Sequence, residues 1–270
     1  MEFEQQDLSA MLETAVVAAR LAGQRAMEEI NYVKASVKND IELVTQADIR
    51  CQQIIVNRIK ENYPDHGFIA EEGGAQPIFK QPPRGPQPVW WVIDPIDGTT
   101  NFAHRMLVFT VSVAAMCDGK PIVAAVFEPA TESMYTAVAG GEAQLNARRI
   151  TAGDEKISKL ASVGLDSHYD DGVPDWACEL MRRTRFRNLG TTALQIVCVA
   201  KGSLIATIAN RPRIWDIAAA ALIAERAGAA VGDWKGKPLF PIDLDKYQCE
   251  HLQVMVANKK VHAEILDLMS

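Results

Sequence analysis

Between Val89 and Phe102 the chain reads VWWVIDPIDGTTNF, an apolar run that stops on an acid and then turns sharply. The residues from Val89 to Ile93 suit a buried strand. Pro95 has no N–H with which to continue a sheet ladder, and Gly98 permits a tight bend. Thr99, Thr100 and Asn101 are all good helix starters. Asp94, Asp97 and the free N–H groups of a helix start therefore converge at the carboxyl edge of one strand. Carboxylates attract Mg²⁺ while amides attract phosphate, and a phosphate–metal pair satisfies both. On this stretch alone a plain turn fits equally well, because Asp-Pro and Asp-Gly are common turn dipeptides.

Two further stretches carry acids in comparable settings. In IAEEGG, Glu71 and Glu72 end a short apolar strand beside two glycines. Surface acids of a loop are the ordinary explanation, yet the placement repeats that of Asp94. In IWDIAAAALIAERAG, Asp216 precedes a helix of small apolar residues. Taken singly it reads as an N-cap. The alanines after it allow close packing, which would carry Asp216 deep inside, where a carboxylate needs compensating charge. Arg211 and Arg213 are the basic residues close to it in sequence.

Around these stretches the pattern is helical first, then strand-rich, then alternating. Apolar spacing predicts a helix over Leu8–Ile30 and a second from an N-cap at Thr45 to about Glu61, after a turn-like VKND. GFIA reads as a strand, and five prolines between Pro77 and Pro88 read as a surface loop. VWWVID, LVFTVSVAAM, PIVAAVFEP and SMYTAVAG follow as an antiparallel meander. Beyond them come strand SVGLD, helices PDWACELMRR and TALQIVCVAKG, strand SLIATIA, helix WDIAAAALIAERAG, strands AAVGDW and LQVMVAN, and a last helix from Lys260. That alternation argues a second layered sheet. We place a boundary near 151–156, with an N-terminal metal-binding half over 1–150 and a C-terminal α/β half over 151–270 completing the site.

Bulk properties narrow the classes. The 270 residues are 48% hydrophobic and 23% charged, an ordinary globular composition. A net charge of −6 argues against nucleic acid or an acidic membrane as main partner. It leaves phosphate substrates open, since a bound metal reverses the local sign. Five scattered cysteines without a C-x-x-C pair read as reduced thiols of a cytoplasmic protein. The acidic N-terminus is wrong for a signal peptide, and no apolar run approaches the ~20 residues of a membrane span.

Taken together, IAEEGG, WVIDPIDGTTNF and WDIAAAALIAERAG, in this order and at these separations, resemble the inositol monophosphatase family of Mg²⁺-dependent, Li⁺-sensitive sugar-phosphate phosphatases. The resemblance runs through IELVTQAD, LGTTALQIVCVAKG and LQVMVANKKVHAEIL and so covers nearly the whole chain. It implies a mixed α/β fold, a layered αβαβα sandwich of the sugar-phosphatase type. It implies that Glu71, Asp94 and the Ile96 carbonyl hold one Mg²⁺, that Asp94, Asp97 and Asp216 hold a second, and that Asp48 helps to place a weaker third. Thr99 would pair with Glu71 to orient the attacking water, and the amides of Gly98 and Thr99 would hold phosphate. Gly190, Thr191 and Thr192 match a substrate-side segment. A homodimer is implied as well, and the apolar strands around 107–127 are candidates for its surface. No histidine is needed for this chemistry, and His104, close to the turn, is the first to examine.

The pattern also departs from the family. Asp97, Gly98, Thr99 and Thr100 with Asn101 favour a small polyol or sugar phosphate, inositol monophosphate first. Seven residues before Asp216, however, Ala209 stands where inositol-cleaving members commonly place an acid that bonds ring hydroxyls. Arg211 or Arg213 would there meet a second anionic group, or serve only as solvated helix flanks. Fructose-1,6-bisphosphate, histidinol phosphate and a nucleotide phosphate remain alternative substrates. A non-catalytic partner protein is the alternative of a different class, since some relatives act in complexes with RNA machinery.

Overall fold

A computed structural model of the chain describes residues 3–37, 43–85, 88–167, 169 and 172–270. Most of VKND, the start of IELVTQAD and His168 lie outside them. Two helices open the chain, α1 (Gln5–Glu29) and α2 (Gln46–Asn62). Before α2, a two-stranded ribbon pairs β1 (Ala35–Val37) with β2 (Leu43–Thr45). Thr45 caps α2: its hydroxyl accepts from the Ala47 N–H while Asp48 accepts from the Thr45 N–H at 2.8 Å, a reciprocal capping box.

The larger sheet has eight strands. They are β3 (Gly67–Ala70), β4 (Phe79–Gln81), β5 (Val89–Asp97), β6 (Thr110–Cys117), β7 (Lys120–Glu128), β8 (Ser133–Val138), β9 (Gln144–Leu145) and β10 (Arg148–Arg149), in spatial order β10-β9-β8-β7-β6-β5-β3-β4. From β5 to β9 each strand pairs antiparallel with the next, as the meander requires; β3 lies parallel to β5. Between β5 and β6 comes the short helix α3 (Thr99–Ala103).

The second sheet is built from β11 (Ser162–Leu165), β12 (Arg185–Arg187), β13 (Ala206–Ala209), β14 (Ala230–Gly232) and β15 (Val254–Ala257), ordered β12-β11-β13-β15-β14. Its helices are α4 (Asp175–Arg183), α5 (Thr192–Ala200), α6 (Ile214–Arg226) and α7 (His262–Met269).

Side-chain alternation turns these elements into layers. Along β5, Trp91 and Ile93 point into a core shared with α1 and α2, while Trp90 and Val92 point into a core shared with α5 and α6. Along β15, Val254 and Val256 face α5 and α6, while Met255 and Ala257 face α4 and α7. The order is therefore helix, sheet, helix, sheet, helix, the αβαβα sandwich expected. The middle layer is buried on both sides, so Ala218 to Ala221 of α6 are fully covered and their small side chains let the sheets close upon it.

The structure corrects several local readings. The Pro77–Pro88 stretch contains β4, paired to β3 from Phe79 to Gln81; only an isolated edge of three residues escapes the prolines around it. LVFTVSVAAM pairs only from Thr110, and SLIATIA only from Ala206. The strands β6 and β7 run buried under α1 on one face and α6 on the other, so within 107–127 the exposed positions are Leu107 before β6 and Asp118 and Lys120 at the β6–β7 turn. Strands β9, β10 and β12 are too short to leave a periodic signal.

Ile93, fully buried one residue before Asp94, is expected to matter for stability alone. Replacing it with Ala should cost about 2–5 kcal/mol through lost burial and a residual cavity, read as a lowered urea midpoint at unchanged m-value.

Candidate functional site

The site starts from a fault in the sheet. Strand β5 pairs with β6 in register to Asp94 opposite Ser112, then slips before Asp97 meets Thr110. Pro95 lies in that gap and cannot donate to the ladder, so the strand bulges and both acids leave it on the same side. The Ile96 N–H donates to Asp94 Oδ1 at 3.0 Å and locks the bulge.

Gly98 follows with φ of 101° and caps α3. A Cβ there would lie 3.2 Å from the carbonyl oxygens of both Gly190 and Val108. Only glycine tolerates this backbone and this crowding together.

Asp97 is pinned from a distance. The Thr191 hydroxyl donates to Oδ2, the Ala193 N–H donates to Oδ2 at 2.7 Å and the Thr192 N–H to Oδ1 at 3.2 Å. These amides begin α5, so Asp97 sits on the positive end of a helix in the middle layer. Thr191, matched above to substrate, spends its hydroxyl on Asp97 and on capping α5 through the Leu194 N–H. Asp216 is not the N-cap of α6; the helix begins two residues earlier at Ile214, and Asp216 Oδ2 accepts the Arg213 N–H at 2.7 Å from within the first turn.

One carboxylate oxygen from each of Asp94, Asp97 and Asp216 lies within 4.8 Å of the others. Burial pushes all three upward in pKa. Asp94 is held well above the usual carboxylate range by burial and then by the charges of Glu71, Asp97 and Asp216. Asp97 reaches only about 6, because its hydrogen bonds from Thr191, Ala193, Thr192 and Thr110 oppose burial. Asp216 rises to about 7 through burial and the charge of Asp97, against the Arg213 N–H.

Together they line a cavity of about 220 Å³ with Glu71, Ile96, Gly98 and Thr99. The donor set is all oxygen and mostly anionic, which suits a hard divalent cation such as Mg²⁺. A cation here would also relieve three crowded charges whose burial and mutual repulsion the hydrogen bonds to Asp97 and Asp216 offset only in part.

The surrounding residues position this wall. Gln52 of α2 brackets the strand end at Glu71 by accepting the Glu72 N–H at 2.8 Å and donating to the Glu72 carbonyl at 2.7 Å. Asp48 is fully buried, and its pKa is raised to about 6 by burial against the Thr45 bond. One of its oxygens holds the capping box, and the other accepts from the Thr99 hydroxyl at 3.1 Å. That hydroxyl also lies 3.0 Å from the Ile96 carbonyl. Asp48 thus reaches the cavity through Thr99.

A second chamber of about 380 Å³ adjoins the first and shares Asp97, Thr100, Gly190, Arg211 and Asp216 with it. Arg213 lines only the acidic one. His251, given no role on sequence grounds, lines the second chamber; its partner Arg211 is 40 residues away, so no local pattern could reveal it. His104 is exposed and lies at the C-terminal end of α3.

Two outcomes follow from this geometry. Gly98→Ala should lower the unfolding free energy by about 1–3 kcal/mol, measured by urea denaturation. In EDTA, the raised carboxylates contribute stability that is complete below their unfolded value of 3.8 and lost as pH climbs through about 6–7. Asn at position 94 copies a protonated Asp, so Asp94→Asn should melt above the wild type at pH 8, the gap closing toward pH 4.

Comparison with known proteins gives the family and the fold. The inositol monophosphatase family model matches residues 7–269. Nus factor SuhB of Escherichia coli strain K12 is 36% identical over 236 residues, 84% of this chain and 86% of that protein. Among solved structures, the extragenic suppressor protein suhB from Bartonella henselae superposes with a TM-score of 0.84 at 25% identity, covering 97% of this chain and 98% of the other. An IMPase from Thermotoga maritima superposes with a TM-score of 0.83 at 28% identity, covering 96% of each. The chain belongs to the inositol monophosphatase family.

Proposed function

We propose that this protein is a Mg²⁺-dependent phosphatase of small phosphate monoesters, a polyol or sugar phosphate of the inositol monophosphate type. The observation that carries the reading is the convergence of Asp94, Asp97 and Asp216, oxygens within 4.8 Å, at a cavity that also takes in Glu71 and the Gly98–Thr99 turn. Family membership supports it.

On this reading the halves 1–150 and 151–270 both supply ligands. Glu71, Asp94, the Ile96 carbonyl and Asp97 come from the first, and Asp216 from the second, with Asp48 placing a weaker third ion. Bound Mg²⁺ supplies charge neutralisation at phosphate and acidification of water at neutral pH. The chain's own groups do the rest. Glu71 and Thr99 orient the attacking water, with Asp48 steadying the Thr99 hydroxyl. The Gly98 and Thr99 amides hold the phosphate. Gly190, Thr191 and Thr192 border the space for the alcohol. Li⁺ sensitivity, a homodimer and a cytoplasmic setting with free thiols accompany this reading.

A second reading is a non-catalytic partner protein, favoured by the name Nus factor carried by relatives such as that of Escherichia coli. The net charge of −6 is a whole-chain average. Arg185 and Arg187 stand exposed on the edge strand β12 beside Phe186, so charge alone does not argue against a polyanionic partner.

Phosphate release from a panel of monoesters, with and without Mg²⁺, separates the two. Turnover should require Mg²⁺, and Asp94→Asn should lose more than about 100-fold, since even outer-shell partners of a metal cost 10–100-fold. Mg²⁺ should also raise the melting temperature of the wild type and not that of Asp94→Asn. Wild-type turnover by the variant refutes the phosphatase site assigned to Asp94, Asp97 and Asp216. A chain with neither Mg²⁺ affinity nor turnover favours the partner protein.

A further inference from the structure

The second chamber has the size of the alcohol portion of a small phosphate ester, and one wall of it is tied down by hydrogen bonds. Three consecutive residues between β13 and α6 are clamped through their backbones. The Asn210 N–H donates to Asp166 Oδ2 at 2.6 Å, His251 Nδ1 donates to the Arg211 carbonyl at 2.6 Å, and the Leu252 N–H donates to the Pro212 carbonyl at 2.9 Å. A carbonyl oxygen only accepts, so Nδ1 carries the imidazole hydrogen. In the neutral ring Nε2 is then an acceptor, and it faces Arg211 Nη2 at 3.4 Å. His251 therefore holds Arg211 at both its backbone and its head.

Arg211 is the cation among the five residues shared by the two chambers. Two residues earlier, Ala209 is buried at 1% exposure and offers a methyl group, which bonds no hydroxyl. A guanidinium carries five N–H donors, so protein partners and a ligand can share it, and its planar fork matches phosphate or carboxylate bidentately. Asp166 lines the same chamber and accepts the Asn210 N–H on Oδ2, so the Asn210–Pro212 segment is held there as well.

We propose that the second chamber is an anion-selecting subsite: Arg211, positioned by His251, favours phosphate monoesters whose alcohol portion bears a second phosphate or a carboxylate. This rests on the phosphatase reading and names its substrate class.

The test uses a matched pair, fructose 1-phosphate and fructose 1,6-bisphosphate. Phosphate release is followed with Mg²⁺, and binding is followed by calorimetry with Ca²⁺ as a slow-turnover substitute. The wild type should favour the bisphosphate by about tenfold or more in kcat/KM and in affinity, the scale of one charge-assisted contact. Arg211→Gln should collapse that ratio toward one, and Arg211→Lys should keep part of it. His251→Phe should lower the ratio through KM rather than kcat, as a positioning residue would. A ratio does not depend on the fraction folded, so misfolding cannot imitate the result. A wild type without preference, or an Arg211→Gln that weakens both ligands equally, overturns the proposal. Absence of turnover on either ester sinks the phosphatase reading instead, while the binding ratio still decides the subsite.

Discussion

Three carboxylates, one oxygen of each within 4.8 Å of the others and largely away from water, are costly to hold together. Left charged they repel, and left protonated they lose their chemistry. The rest of the architecture is organised around that cost. Each acid comes from an element that cannot easily yield: Asp94 and Asp97 from the bulged end of β5, Asp216 from the first turn of α6. The positive end of α5 holds Asp97, through the N–H groups of Thr192 and Ala193.

The layered fold explains why this rigidity is available. Helices α5 and α6 lie between two sheets, and their small, apolar surfaces let both sheets approach. An acid on such a helix start is therefore carried to the centre of the chain rather than to its rim. Around the front of the cavity, α2 performs a related task, with Gln52 bracketing the turn at Glu71–Glu72 and Asp48 gripping Thr99. The positions of these acids and of the Thr99 hydroxyl are thus set by packing.

The segment that ends in Asp216 begins with the clamped residues Asn210 to Pro212. One stretch of backbone thereby sets both the acidic wall and the head of Arg211. On the proposed reading, chemistry and substrate choice would be adjacent properties of this one clamped loop.

Much of this was legible in the residues themselves. The apolar runs of β5 to β8 and the long helices announce their period, and DPIDGTTNF announces a turn because proline, glycine and helix-starting residues act on their own backbone within a few positions. What the chain order could not reveal is every contact that depends on distant residues arriving together. Thr191 bonding Asp97 across 94 positions, His251 gripping Arg211 across 40, and β4 surviving as an edge among prolines are such cases. Local covalent geometry decides the elements. Only packing of the five layers decides which acids share a cavity, because burial and mutual repulsion exist solely once those layers have closed.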